Sequence, residues 1–287
     1  MYKIGLSTCE KDGNKPLNDA TFKAYSDAGL KAMEIVMLPQ DYKNIDYANV
    51  KRLSDEYGVE LWSYHLPFYS IDPNDPLDPS HKDKKVREKT IEYFKSLICK
   101  ASNIGINKFV VHPSGEPVTY DERSERKECS KESLSILADI AAEYDSVIAV
   151  EDLPRSCLGN TSDEMLEIIS ANPKLRVCFD TNHLLHEDNA DFIRKVGSKI
   201  VTMHVSDYNF VNEQHWLPGE GRVKWNGVID ALQEIGYNGA WIYEINFKCP
   251  DTIIRDRDLT CQDFYKNAVE IFEGKPITVI SKSKDIR

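Results

Sequence analysis

Short apolar runs rich in β-branched and aromatic residues recur along the chain, each followed by a longer segment in which apolar residues return at helical spacing. The runs KIGLST (3–8), AMEIVM (32–37), ELWSYH (60–65), KFVVH (108–112), SVIAVE (146–151), RVCFD (176–180), IVTMHV (200–205) and AWIYEI (240–245) predict eight strands with helices between them. Several helix-to-strand connections carry a glycine just past the helical pattern, as in DAGLKAMEI, EYGVELWSY, SNIGINKFVV and EIGYNGAWIYEI. Glycine there supplies the left-handed cap that ends a helix before the next strand begins.

Alternating strands and helices predict a parallel sheet, and near-continuous apolar runs such as IVTMHV suit strands covered on both faces. Eight units predict an α/β protein built as a single closed (β/α)8 barrel over residues 1–275, with 276–287 as a C-terminal tail. A length of 287 residues suits an undivided barrel. The alternative is a doubly wound open sheet. It would carry a glycine-rich phosphate turn after the first strand, where this chain reads STCEKDGNKP and has no G-x-G-x-x-G.

In a barrel of this kind the catalytic groups stand at the carboxyl ends of the strands. The closing residues of strands three to eight include His65, His112, Glu151, Asp180, His204 and Glu244. Any one of them alone reads as a loop residue facing water. Six in succession, brought to one mouth, read as a metal site, because a divalent cation satisfies carboxylates and imidazoles that would otherwise repel or lie unpaired. The best four ligands are Glu151, Asp180, His204 and Glu244. Three carboxylates and one imidazole make a hard shell suited to manganese, magnesium or cobalt, with zinc also allowed. Such an ion polarises a carbonyl and stabilises an enediolate.

Other residues carry two readings each. His183 follows Asp180 by three residues in FDTNH, and reads as a helix-capping or solvent-facing group or as support for a metal. Glu34, near the end of strand two, reads as a solvated residue or as a contact at the mouth. Phe68, Trp216 and Trp225 are candidates for a sugar-stacking face, whereas Trp62 reads as barrel core. His81 and His186 lie in charged surroundings and read as surface.

Composition narrows the partners. With 36 basic and 47 acidic residues the formal charge is −11, and the basic residues are scattered, so nucleic acid is not an expected partner. The opening MYKIGLSTCE runs straight into a strand with no leader pattern, and no apolar run approaches the roughly 18–20 residues that span a bilayer. A cytoplasmic protein without membrane contact is expected. Cys9, Cys99, Cys129, Cys157, Cys178, Cys249 and Cys261 form no close C-x-x-C pair and predict reduced thiols. Serine or cysteine nucleophilic catalysis has no supporting motif.

The motifs HLPF (65–68), HPSG (112–115), VED (150–152), FDTNH (179–183), MHVSD (203–207), HWLPGEGRVKW (215–225) and GYNGAWIYEI (236–245) resemble the xylose isomerase-like TIM-barrel superfamily, the sugar phosphate isomerase/epimerase and endonuclease IV group. The resemblance covers nearly the whole chain. It implies that Glu151, Asp180, His204 and Glu244 hold a divalent metal ion and that Glu151 and Glu244 form an acid/base pair. The implied enzyme is a metal-dependent isomerase or epimerase acting on a sugar, inosose or sugar phosphate through a metal-stabilised enediolate. His65, His112, His183, His215 and Arg222 are the expected substrate contacts. In the ketose 3-epimerases an arginine six residues after the strand-seven histidine helps hold the substrate. Phe210 stands at that position here, which leaves Arg222 as its substitute.

The same resemblance carries a rival. His65, His112, Glu151, Asp180, His183, His204, His215 and Glu244 are similar to the zinc ligands of endonuclease IV, with Glu213 where that family has an aspartate. That set implies a trinuclear zinc phosphodiesterase acting at abasic DNA. A noncatalytic sugar-binding barrel is a third reading, disfavoured by the intact glutamate pair. A homo-oligomer is allowed. In the loop after strand seven, Pro218, Gly219 and Gly221 are expected to shape the turn into the next helix, and Trp225 to open that helix's packing.

Overall fold

A computed structural model of the chain describes residues 1–9 and 15–283. Eight parallel strands follow one another around a closed barrel: β1 (Lys3–Ser7), β2 (Ala32–Ile35), β3 (Glu60–His65), β4 (Lys108–Val111), β5 (Val147–Glu151), β6 (Arg176–Asp180), β7 (Ile200–Val205) and β8 (Ala240–Tyr243), with β8 bonded back to β1. Every run read as a strand is one. Some end a residue or two early, so that His112 and Glu244 each stand one position beyond β4 and β8.

The outer layer holds α1 (Asp19–Asp27), α2 (Tyr47–Tyr57), α3 (Lys84–Ser102), α4 (Arg123–Ala142), α5 (Ser162–Ile169), α6 (Asn189–Val196), α7 (Trp225–Glu234) and α8 (Cys261–Phe272). Asn18, Asp46, Thr161 and Asp188 accept amide hydrogen bonds at the starts of α1, α2, α5 and α6, which satisfies donors that have no partner inside a helix. Gly58 ends α2 at φ 62°, and Gly236 follows α7 at φ 69°, the left-handed conformation expected at those connections.

Strand parity sorts the side chains. Successive residues point to opposite faces, so Val177 and Phe179 of β6 join the large core under the helices, where Phe179 stacks on Phe192 of α6 with centroids 5.3 Å apart. Cys178 and Asp180 have the other parity and face the barrel interior. The same parity turns Ala32 and Glu34 of β2, Ala149 and Glu151 of β5, and Thr202 and His204 of β7 inward, with Glu244 continuing the inner row of Ala240 and Ile242. Apolar residues fill the lower interior: Ala32, Ala240 and Ile242 pack with Trp62, and Val110, Ala149 and Cys178 pack together. Acidic and imidazole groups then occupy the upper interior.

The connection after β8 carries a short strand, β9 (Ile253–Arg255), which pairs antiparallel with β10 (Ser281–Ser283) near the end of the chain. Part of the 276–287 segment is thereby tied to a loop of the barrel mouth. Residues 284–287 of that segment, and residues 10–14, lie outside the described residues. None of the seven cysteines forms a disulfide, as expected. No helix among the described residues is long and apolar enough to cross a membrane.

Candidate active site

The strand ends bring Glu151, Asp180, His204 and Glu244 together. His204 Nδ1 lies 2.9 Å from Glu151 Oε1, 3.1 Å from Glu244 Oε2 and 3.7 Å from Asp180 Oδ2. One ligand atom from each of the four falls within 4.8 Å of the others. Register explains the arrangement, because Asp180 of β6 pairs directly with His204 of β7, and Glu151 of β5 with Cys178 one inward step below Asp180. Glu151, Asp180 and His204 are fully buried, and Glu244 nearly so.

This group fits a divalent cation on its own chemistry. Asp180 Oδ2 is buried without a hydrogen-bond partner, which is costly unless something positive meets it. The donor set is mainly oxygen, as a hard ion requires. Burial would disfavour an imidazolium at His204, yet the surrounding carboxylates raise its pKa well above the ordinary histidine value. Burial would likewise raise the carboxyls of Glu151 and Glu244, yet the charge on His204 pulls both well down. Carboxylates crowded this deep demand positive charge, whether it arrives as a proton on His204 or as a metal.

Glu151 is the hub. Its Oε1 meets His204, while its Oε2 meets His65 Nε2 at 3.0 Å and His112 Nε2 at 3.1 Å. His183 and His215 form a further group with Glu213, and Glu213 Oε2 lies 3.4 Å from His183 Nε2. Three of these imidazoles share one orientation. Nδ1 faces a backbone carbonyl, that of Leu66 for His65 at 2.7 Å, of Asp152 for His183 at 2.7 Å, and of Glu244 for His215 at 3.0 Å. For His215 a proton held on Nδ1 by the carbonyl leaves Nε2 as the lone pair of a neutral ring, whereas His65 and His183 also direct Nε2 at a carboxylate, of Glu151 and Glu213, which favours a proton on both ring nitrogens.

The loop after β7 is built to present Glu213 and His215. Asp207 accepts hydrogen bonds from the amides of Tyr208 (2.8 Å), Gly219 (2.8 Å) and Val223 (3.0 Å) and from Trp225 Nε1 (3.0 Å), which fastens the Pro-Gly-Glu-Gly turn to the strand end. Gly221 is obligatory there, since a Cβ would sit 2.3 Å from Asp207 Oδ1. Asn182 Oδ1 receives the amide of Gln214 at 2.9 Å, and His215 adopts φ 52°, uncommon for a residue with a side chain. Trp225 opens α7 and is buried, as expected.

A cavity of about 950 Å³ lies over these groups, lined in part by Phe68, Tyr69, Arg155, Gln214, Lys248 and Thr252. His65, His112, His183, His215, Glu151 and Glu244 all reach it. Arg222 does not: it is exposed, and its backbone amide is bonded to Tyr208 O at 2.8 Å. Trp216 and Trp225 are buried in the loop framework, their indole nitrogens bonded to Thr252 and Asp207, so among the stacking candidates Phe68 alone faces the cavity. Its ring stacks on His112 with centroids 4.7 Å apart. His186 is exposed and His81 half-buried, away from the cavity.

Two further residues take part. Glu34 is fully buried, contrary to the solvated reading, because its parity points it into the barrel beside Ser63 and His204. The same period-two rule applied to strand two is the signal that finds it. Arg155, in the loop after β5 at φ 54°, reaches Glu116 through Nε and Nη2 at 2.6 and 2.7 Å and Glu213 through Nη1 at 2.9 Å. It therefore joins three loops of the mouth. Burial would raise the Glu213 carboxyl, but His183, His215 and Arg155 bring it down to about 2. No local pattern in EDLPRS announces this role.

A closed parallel barrel with its titratable groups at the carboxyl mouth defines the class. The chain belongs to the xylose isomerase-like TIM-barrel family, whose model matches residues 22–259. It is 25% identical over 246 residues to a D-psicose 3-epimerase of Ruminiclostridium cellulolyticum, covering 79% of this chain and 78% of that protein. It is 28% identical over 217 residues to an inosose isomerase of Bacillus velezensis, covering 71% of this chain and 72% of that one. Among solved structures, a D-tagatose 3-epimerase-like protein superposes with a TM-score of 0.74 at 26% identity, over 94% of this chain and 97% of the other.

Proposed function

We propose that the protein is a divalent-metal-dependent isomerase or epimerase of a sugar, inosose or sugar phosphate, with Glu151 and Glu244 as its acid/base pair. One observation carries the reading: the two glutamates, from strands separated by two others, converge within 2.9 and 3.1 Å of the same imidazole nitrogen at the floor of the cavity. Relatives named as psicose 3-epimerase and inosose isomerase support it. Glu151, Asp180, His204 and Glu244 would hold the ion, which supplies Lewis-acid polarisation of a substrate carbonyl and charge stabilisation when bound.

The remaining steps belong to the chain. One glutamate removes the proton from the carbon next to the carbonyl, and the other returns a proton to the opposite face. His65 and His112 hold Glu151 by its second oxygen, so the carboxylate keeps one orientation while the substrate binds. Phe68 offers an apolar face to the C–H side of a ring or chain. His215, its Nδ1 on a backbone carbonyl, offers Nε2 to a substrate hydroxyl, and His183 stands beside it with Nε2 against Glu213.

Incubation of metal-loaded protein with ketoses, inososes and sugar phosphates in heavy water tests the reading. Deuterium is expected at the carbon next to the carbonyl of a responding substrate, and no incorporation across the panel would sink it. A second reading, a three-ion phosphodiesterase acting at abasic DNA, is favoured by the two further groupings His65–His112–Glu151 and His183–Glu213–His215. Counting ions per chain and assaying abasic-site duplexes separates the two: three zinc ions with strand cleavage favour the nuclease, and fewer ions with proton exchange favour the isomerase.

A further inference from the structure

His204 is turned the opposite way from its neighbours. His65, His183 and His215 give Nδ1 to a backbone carbonyl, whereas His204 presents Nδ1 to Glu151, Glu244 and Asp180 and directs Nε2 at a carboxylate, Glu34, at 2.9–3.0 Å. We propose that Glu34 is the positioning residue of the metal centre: it binds the Nε2 proton of His204 and so fixes the tautomer that offers the Nδ1 lone pair to the ion. The proposal rests on the metal reading given above.

Three features bear on it. Glu34 is fully buried, below the cavity and outside its lining, so it has neither water nor substrate to satisfy it. Ser63 Oγ donates to Glu34 Oε2 at 2.8 Å and restrains the carboxylate. The His65 ring lies parallel to that of His204, with centroids 5.9 Å apart and planes within 19°, which limits rotation of the imidazole. A carboxylate behind a ligating imidazole orients the ring and raises its basicity, and loss of such a partner commonly costs about 10- to 100-fold in metal affinity. Glutamine at position 34 has nearly the same shape but can donate to Nε2. It thereby permits the wrong tautomer, with the proton on Nδ1 where the ion should be.

Chelator-stripped full-length protein is titrated with Mn²⁺ and with Co²⁺, and the dissociation constant is read by competition with a chromogenic chelator. Glu34→Gln is expected to weaken binding about 10- to 100-fold, and Ser63→Ala to weaken it in the same direction by a smaller factor. The Co²⁺ absorption bands should shift in Glu34→Gln at saturating metal, a change that a merely structural role does not produce. Equal affinity in wild type and Glu34→Gln overturns the proposal and leaves the metal reading intact. No uptake by wild type overturns both. Should Glu34→Gln fail to fold, Ser63→Ala decides, and an unchanged dissociation constant in that variant overturns the proposal.

Discussion

The two ends of the barrel treat charge in opposite ways. At the carboxyl end Glu34, Glu151, Asp180 and Glu244 surround one imidazole in a buried space, and the nearby guanidinium of Arg155 is already engaged by Glu116 and Glu213 at the rim. At the amino end Lys3 is paired with Glu60, and the ammonium groups of Lys3 and Lys108 lie 5.3 and 3.7 Å from the Trp62 ring centroid. There the charges face a carboxylate, an aromatic face and solvent beside a recess of about 250 Å³. The difference teaches where to look for chemistry. Charge that is matched in place reads as stability, and anionic charge concentrated without enough fixed cation marks a position where something else must bind.

The comparison breaks most visibly at Glu151. Glu151→Gln should lower deuterium exchange into a responding substrate by about 10²- to 10⁴-fold, since it removes one member of the proposed acid/base pair. Lys108→Met, at the other end, should leave exchange unchanged. If both variants lower exchange alike, the two ends are not functionally distinct.

Removal of the proposed ion should have the next largest effect. An ion that binds only the folded chain stabilises it by about 2.7 kcal/mol when free metal is a hundred times Kd. Calorimetry with and without a chelator should show a higher unfolding temperature with metal, and Asp180→Asn should abolish the difference. A metal-independent melting temperature in the wild type would contradict the assignment of the mouth.

Acid sharpens the picture at the rim. The Glu213 carboxyl has an ordinary value of 4.5 and is held at about 2 in the fold. Because the folded value is the lower one, its stabilising contribution is complete above about pH 4.5 and is lost as pH falls through about 2. Arg155→Gln should move that loss to higher pH and cost about 1 kcal/mol at neutral pH, since Arg155 and Glu213 are both partly exposed. Acid titration of metal-free protein followed by tryptophan fluorescence reads the shift. An identical acid transition in the variant would remove Arg155 from the account.

The smallest effect belongs to the amino end. Lys108→Met removes an ammonium lying on Trp62 and should change stability by no more than about 0.5–1 kcal/mol. Burial lowers the pKa of this lysine, so part of the lost interaction is offset by relief from desolvating the charge. Denaturant unfolding measures it. A loss several times larger would show that this end carries more of the fold than its matched charges suggest.

Much of this architecture is written locally. The alternation of apolar runs and helical segments defines eight strands, and the last polar residue of strands three to eight supplies Glu151, Asp180, His204 and Glu244 as well as His65 and His112. That works because a strand's period of two assigns each residue to a face, and a closed barrel sends every inward strand end to the same mouth. Glu34 obeys the same rule, but a lone glutamate in AMEI gives no hint of its partners, which come from β3 and β7. Arg155 and Arg222 invert the expectation for arginine. The one in the short loop after β5 reaches the cavity, and the one beside the Pro-Gly-Glu-Gly turn points to solvent.

By itself, then, the amino-acid sequence determined the strands, their order, the barrel and the inward donors, since each depends on spacing along the chain. Tertiary structure alone decided which ring nitrogen of each histidine faces the centre, that Glu34 stands behind His204, that Arg155 joins Glu116 to Glu213, and that β10 is tied to β9 across the loop after β8. Those outcomes depend on distances between residues far apart in the chain. Such distances are set by the closure of the barrel and the packing of its loops, which no local period records.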